Sequence, residues 1–326
     1  MSIIGFDKGY GLDKYAYFDK NNELRYGKVM SVFSEAPMDT EEDILEFEGK
    51  KYYWGDLALM EDSSNIEDMN DYKSLEKFTP LSIALLLQEE IKIKPEEVTA
   101  LGIGLSLAQK DYAESYLKRI QKFKVNGTVY DFKGKTFLIP QGIGAKYAID
   151  EFFYKGEKAT YAILDIGQLT IDAVKIIAGK VRRENAEGAA YEGIIKIVQE
   201  LKEYISNELN EVISLKEAQQ ALMTGEIFFY GEKKDLTDKI NELKKGYTNY
   251  ILKLMKDRYK NIFKKFPKIY VVGGGSYYLD KDVIESEFGK NNVFEVLSDK
   301  TEGIPPPEYL NAIGNAIAVK KQLEKN

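Results

Sequence analysis

"AILDIGQLTIDAV", Ala162 to Val174, sets two apolar runs on either side of an Asp-x-Gly, with a hydroxyl at Thr170. An apolar run that breaks at a carboxylate and a glycine and then resumes reads as strand, tight turn, strand. The chain writes the same device earlier, at "IIGFDKGYGLDKYAYF", Ile3 to Phe18. Asp7 and Asp165 lie 165 − 7 = 158 positions apart, close to half of the 326 residues. One Asp-x-Gly is a common turn. Two copies with matching apolar flanks point to two similar halves facing one cleft.

The device has a chemical use. Without a Cβ at Gly9 or Gly167, a hairpin turn can bring backbone N–H groups against a phosphate, and the adjacent carboxylates can hold a hydrated divalent ion opposite it. A third glycine cluster, Gly273 to Gly275 in "KIYVVGGGSYYL", follows an apolar run and precedes Ser276. It reads either as a plain loop or as a place where a flat group lies directly on the backbone. It lacks both the G-x-G-x-x-G spacing and a following Gly-Lys-Ser/Thr, so a nucleotide would be held by neither a Rossmann unit nor a P-loop.

Composition narrows the chemistry. With 44% hydrophobic residues the chain can bury a large core, and its length predicts about two domains. Cysteine and histidine are both absent, which excludes disulfides, thiolate metal sites and imidazole catalysis. A net charge of −7 argues against coating nucleic acid directly. No apolar run reaches the roughly 18 residues of a membrane span, and no leader pattern opens the chain, so the expectation is a cytoplasmic protein without direct nucleic-acid or membrane partners.

The first half alternates short β-rich runs (Ile3 to Phe6, Tyr15 to Phe18, Ile44 to Phe47, Lys51 to Trp54, Leu101 to Leu107) with a helix at Thr79 to Ile91 that carries a proline just inside its start. From Glu192 the spacing becomes helical. Ile197, Leu201, Tyr204, Ile205, Leu209 and Val212 form one stripe, and Ile240, Leu243, Tyr247, Tyr250, Ile251, Leu254, Tyr259 and Ile262 form another. All eight prolines lie outside Gln141 to Phe266, and "PPPEYLNAIGNAIAVKKQLEK", Pro305 to Lys325, predicts a proline-started final helix. The acidic runs Glu41 to Asp43 and Glu61 to Asp71 read as solvated loops.

The order "FDKGYGLDK", "IPQGIGAKYA", "LDIGQLTID", "VVGGGSYYL", "PPEYLNAIGNAIA" resembles the actin-like ATPases, and within them the bacterial plasmid-segregation type called ParM or StbA. "YYWGDLAL" and "MTGEIFFYGEKKDL" support that branch. The resemblance implies an α/β, ribonuclease H-like two-domain fold with a nucleotide cleft between the halves. Domain I would span 1–150 with a small insertion at about 35–78. Domain II would span 151–326 with a helix-rich insertion at about 190–266, the C-terminal helix packing back towards domain I.

Carried over residue by residue, the resemblance gives Asp7, Gly9, Tyr10, Gly11 and Lys14 to the first phosphate loop and Asp165, Gly167, Gln168 and Thr170 to the second. Gly273, Gly274, Gly275 and Ser276 would form the nucleoside turn. Gly188 would sit near the ribose, and Lys216 and Gln220 would line the base pocket. Asp7 and Asp165 would hold Mg²⁺ through water, and Gln141 would orient the attacking water unless it merely satisfies backbone beside Pro140. Lys14 would reach the phosphates or be a solvated strand residue. Two positions depart from the pattern: Tyr10 replaces a small hydroxyl residue and must point away from the phosphate or cover it, and Gln168 stands where glycine is common. The implied function is ATP (possibly GTP) hydrolysis coupled to head-to-tail filaments that move plasmid DNA through a DNA-binding adaptor. The alternatives are a small-metabolite kinase of the same superfamily, for which no catalytic base stands out, and a regulatory or chaperone-type ATPase, expected to carry a client domain beyond Asn326.

Overall fold

The computed structural model describes all residues except 1, 42, 62–66, 68–70, 259–264, 290–293, 298–302 and 326, and the side chains of 182–185. In the first half, β1 (Ser2–Asp7), β2 (Leu12–Phe18) and β3 (Leu24–Met30) form an antiparallel meander, and β7 (Val98–Leu105) and β10 (Thr136–Pro140) add parallel strands on the β1 side. The second half repeats this plan. There β11 (Tyr161–Ile166), β12 (Thr170–Ile177) and β13 (Lys180–Ala190) meander, and β16 (Ile269–Val272) and β17 (Phe294–Val296) continue in parallel beside β11. The strand orders β10-β7-β1-β2-β3 and β17-β16-β11-β12-β13 therefore coincide. β1 and β11 are central strands buried on both faces, which explains their unbroken apolar runs where edge strands alternate.

Two helices fill the space between the sheets: α4 (Ile143–Phe152) and the last helix, α9 (Leu310–Leu323). Ala145, Ala148, Ile149, Ile313, Ala316 and Ile317 pack there with Ile163, Val174 and Ile176 of the second sheet and Ala16 of the first. Each fully buried Ile or Val contributes about 1.5–3 kcal/mol. Small residues set the spacing. A Cβ on Gly5 or Gly314 would collide with the α9 or α4 backbone, so α9 lies directly on β1 and crosses α4 at backbone contact.

Inserted in the first half, β4 (Phe33–Ala36), β5 (Leu45–Phe47) and β6 (Lys50–Trp54) make a three-stranded sheet in the order β4-β6-β5, next to α1 (Gly55–Met60) and α2 (Tyr72–Leu85). The β8 (Lys122–Val125) and β9 (Thr128–Asp131) hairpin follows α3 (Ala113–Gln121). In the second half α5 (Ile195–Leu209), α6 (Leu215–Thr224) and α7 (Thr237–Arg258) hold a hairpin of β14 (Glu226–Phe229) and β15 (Glu232–Asp235), and α8 (Lys281–Phe288) follows β16.

Three local expectations need correction. The helix expected to start near Thr79 begins at Tyr72, where the Asp71 carboxylate caps the Ser74 N–H at 2.8 Å, so Pro80 lies inside it. Its last turn widens into a π-turn at Leu86–Glu90. Val212 lies beyond α5, which ends at Asn210 in the left-handed region, and is 93% exposed rather than part of the stripe. Leu107 lies past β7, in a short 3₁₀ segment. Of the acidic runs, 42, 62–66 and 68–70 lie outside the described residues, as do Tyr259 and Ile262 of the second stripe.

Candidate functional site

Between the two halves lies a cavity of about 320 Å³. Its wall comes from the carboxyl ends of β1, β7 and β11 and the two hairpin turns, with α6 and the glycine turn after β16 closing the sides. Strand ends meeting a crevice are where an α/β sheet binds ligands. Asp7, Gly9, Tyr10, Gly11, Lys14, Gln141, Asp165, Gly167, Gln168, Thr170, Gly273, Gly274 and Gly275 all line it.

Asp7 ends β1 and Asp165 is the last residue but one of β11; each pairs with the residue seven positions on, and both are buried. Asp7 Oδ1 accepts a hydrogen bond from Gln141 Nε2 at 2.7 Å, and the Gln141 N–H donates to Leu105 O at 2.9 Å. Asp165 Oδ2 accepts from Asn311 Nδ2 at 2.5 Å, and Asn311 Oδ1 accepts the N–H groups of Gly142 and Ala145. Asn311, on α9, thereby fixes both the carboxylate and the start of α4. Burial raises the Asp7 carboxyl above its usual range against the pull of Lys14 and Gln141. The Asp165 carboxyl is pushed up to about 6 by burial and then by the Asp7 charge, with Asn311 and Lys14 opposing. Among the described residues no group of three or more acidic side chains converges as a metal cage. Two carboxylates without a cage suit a cation that shares phosphate oxygens and keeps its water.

Tyr10 is buried, lines the cavity, and its hydroxyl accepts from Gln109 Nε2, another lining residue, which ties the ring to the first half. The Gly9 N–H donates to Asp13 Oδ1 at 3.2 Å and the Gly167 N–H to Thr170 O at 2.9 Å, so these glycine amides close their own turns. Among the described residues the amides of Tyr10, Gly11, Gln168 and Leu169 have no backbone partner. Gln168 and Gln219 of α6 exchange two amide hydrogen bonds of 3.2 Å, and Gly11 rests against that pair, whose side-chain ends would have to shift to admit a Cβ.

Four expected positions lie off the cavity. Gly188 pairs with Asp172 in β13 and packs on Leu107 and Ala108, where a side chain would not fit; its role is close packing rather than ribose contact. On α6 the residues that line the cavity are Gln219, Leu222 and Met223; Gln220 lies one position on from Gln219, and Lys216 two turns before Met223. Ser276 is buried beside the glycine turn, its Oγ without a hydrogen-bond partner among the described residues. The sequence reading missed Asp172, Asn311 and Lys8. Asp172, fully buried, accepts from Ser106 Oγ at 3.1 Å and Leu107 N at 2.9 Å, joining the two halves, and burial with the neighbouring Asp165 raises its carboxyl well above the usual range. Asn311 and Asn315, one turn apart in "NAIGNAIA", were the available signal, since polar residues on an otherwise apolar helix face require partners.

The duplicated sheets with a cavity at their strand ends define the actin-like fold. The comparisons agree. The family model described as archaeal actin homologue MreB-like, C-terminal, matches residues 163–285. Ta0583, an archaeal actin homologue, is 20% identical over 98% of this chain and 100% of its own, with a TM-score of 0.72; it is also known in complex with ADP. The ParM of a 15-stranded filament from Clostridium botulinum is 19% identical over 98% and 99% of the two chains (TM-score 0.70). Bacillus thuringiensis ParM with ATP is 17% identical over 99% of each (TM-score 0.63). No curated protein matches the sequence. No helix among the described residues is long and apolar enough to cross a membrane.

Proposed function

We propose that the cavity binds and hydrolyses ATP as its magnesium complex, with 1–150 and 151–326 as the two domains that grip it. The observation that carries this reading is the pair of hairpins, each with an aspartate near its first strand's end, in equivalent register facing one cavity. The amides of Tyr10, Gly11, Gln168 and Leu169 would donate to phosphate oxygens, and Lys14 would add the positive charge. Magnesium, held through water by Asp7 and Asp165, would neutralise phosphate charge. With Nε2 committed to Asp7, Gln141 keeps Oε1 as an acceptor for the attacking water, and phosphoryl transfer asks mainly for such positioning. A neutral amide is a weak base, so slow hydrolysis is expected. Leu222 and Met223 with the Gly273–Gly275 turn would enclose the base, which leaves ATP and GTP to be compared directly.

The ATP-bound protomers would assemble head to tail, because a nucleotide gripped from both halves holds one shape and a heterologous contact that does not close propagates as a filament. Supporting this is the likeness to ParM, one relative of which forms a 15-stranded filament. Cargo would be plasmid DNA held through an adaptor. Calorimetry with Mg-ATP tests the binding step. Light scattering tests assembly: it should rise above a critical concentration after Mg-ATP is added and fall as phosphate is released. A protein that binds Mg-ATP but stays monomeric at tens of micromolar would retain the site and lose the filament.

A further inference from the structure

Lys8 stands between the Asp7 carboxylate and the Gly9 turn, yet its ammonium does not serve the cavity. Its side chain is wholly buried and Nζ is 3.0 Å from the Asp13 carboxylate, 2.9 Å from Ser82 Oγ and in hydrogen-bond contact with Ser31 Oγ. Three donors meet three acceptors, so none is left for a phosphate. Asp13, also buried, accepts the Gly9 N–H as well, so one ion pair sets the shape of the first hairpin turn. The partners come from three places: the start of β2 (Asp13), the connection before β4 (Ser31), and α2 (Ser82).

The contacts continue into the three-stranded sheet. Lys8 Nζ lies 5.7 Å from the centroid of Phe33 on β4, and Phe33 stacks on Phe78 of α2 at 5.1 Å. Phe33 pairs with Trp54 on β6, the single tryptophan of the chain. A buried ammonium is unfavourable unless paired, and an apolar side chain of similar length would fill the same space without that penalty. The charge therefore has a purpose other than packing.

We propose that Lys8 is a positioning residue that, paired with Asp13, holds the first hairpin turn in shape and ties it to α2 and the three-stranded sheet, so that occupation of the cavity is felt by that sheet. This rests on the nucleotide reading above. The shared side chain makes the turn and the sheet one body: a ligand that draws Tyr10 and Gly11 towards it must also move Lys8, and with it Ser82 and Phe33.

The test uses the full chain and Trp54 emission. In the parent, saturating Mg-ATP should change the emission. The charge-balanced double variant Lys8→Met/Asp13→Asn keeps an acceptor for the Gly9 N–H and leaves no buried charge unpaired; it should bind Mg-ATP at least fivefold more weakly and, when saturated, show less than half of the parent's emission change. Ser82→Ala keeps the ion pair but loses the tie to α2, and should hold parent affinity within twofold while also losing part of the emission change. A purely structural role would shift thermal stability alone. Binding by the parent without an emission change, or a full parent response in the saturated double variant, overturns the proposal and leaves the nucleotide site standing. Failure of the parent to bind Mg-ATP overturns both.

Discussion

The β1–β2 and β11–β12 hairpins share topology and register, and differ at the residue opposite the aspartate near the strand end. Across from Asp7 stands Lys14; across from Asp165 stands Asp172. Both line the cavity, but Lys14 counters both aspartates, whereas the Asp172 carboxylate is held by Ser106 and Leu107 of the other half. One hairpin thus supplies positive charge to the site and the other supplies the joint between the halves. The turns differ in the same sense. The first is braced from within by Lys8 and Asp13, the second from outside by Gln219. A duplicated scaffold fixes where side chains stand, and the residue at each equivalent position decides what they do.

The sharpest way to break the equivalence of the two aspartates is to remove one. Asp165→Ala should weaken Mg-ATP binding by a hundredfold or more, about 2.7 kcal/mol, and Asp7→Ala should act in the same direction. Calorimetry showing parent affinity in either variant would end the symmetric reading. The same carboxyl predicts a pH signature in the protein free of nucleotide and magnesium. With a folded value of about 6, above the ordinary range, Asp165 holds its proton longer folded than unfolded. Its contribution to stability is present at acidic pH and is lost as pH rises towards and through about 6. Asp7, Asn311, Lys14 and the Gly142 N–H face this group. Asp165→Asn should flatten that part of the stability profile in denaturant melts across pH 4 to 8.

Asp172→Ala sharpens the contrast from the other side. It leaves the Leu107 N–H and the Ser106 hydroxyl without their buried acceptor, which predicts a loss of about 2 kcal/mol in denaturant unfolding. Asp172 lines the cavity, but its Oδ1 is committed to Ser106 and Leu107, so Mg-ATP affinity should stay within about threefold of the parent. A collapse of affinity at unchanged stability would move Asp172 into the binding site.

Gln141→Ala separates chemistry from binding. Turnover should fall about tenfold, near 1.4 kcal/mol of transition-state stabilisation, with nucleotide affinity nearly unchanged. Equal losses in both would assign Gln141 to holding Asp7 alone. The smallest effect is expected from Gln168→Gly, which breaks the amide pair with Gln219 at a partly exposed position and should cost less than about 1 kcal/mol of stability. If it matched Asp172→Ala in size, the outer brace would be as important as the joint.

The sequence by itself determined the central strands, both Asp-x-Gly turns and the glycine turn, while the line of cavity residues from Asp7 to Gly275 came from the resemblance carried by the order of those motifs. The strands and turns rest on local rules: unbroken apolar runs mark strands buried on both faces, and Asp-x-Gly marks a turn regardless of what surrounds it. The tertiary structure decided the rest. Only packing shows that Pro80 is tolerated within α2, that Gly188 exists to admit Leu107 and Ala108, and that Gln219 rather than Gln220 faces the cavity. The roles of Lys8, Asp172 and Asn311 likewise depend on partners 74, 66 and 146 positions away. A polar side chain carries in its own identity the need for a hydrogen-bond partner once buried, but which partner meets it is set by the approach of distant strands and helices, and that appears only when the two halves are packed together.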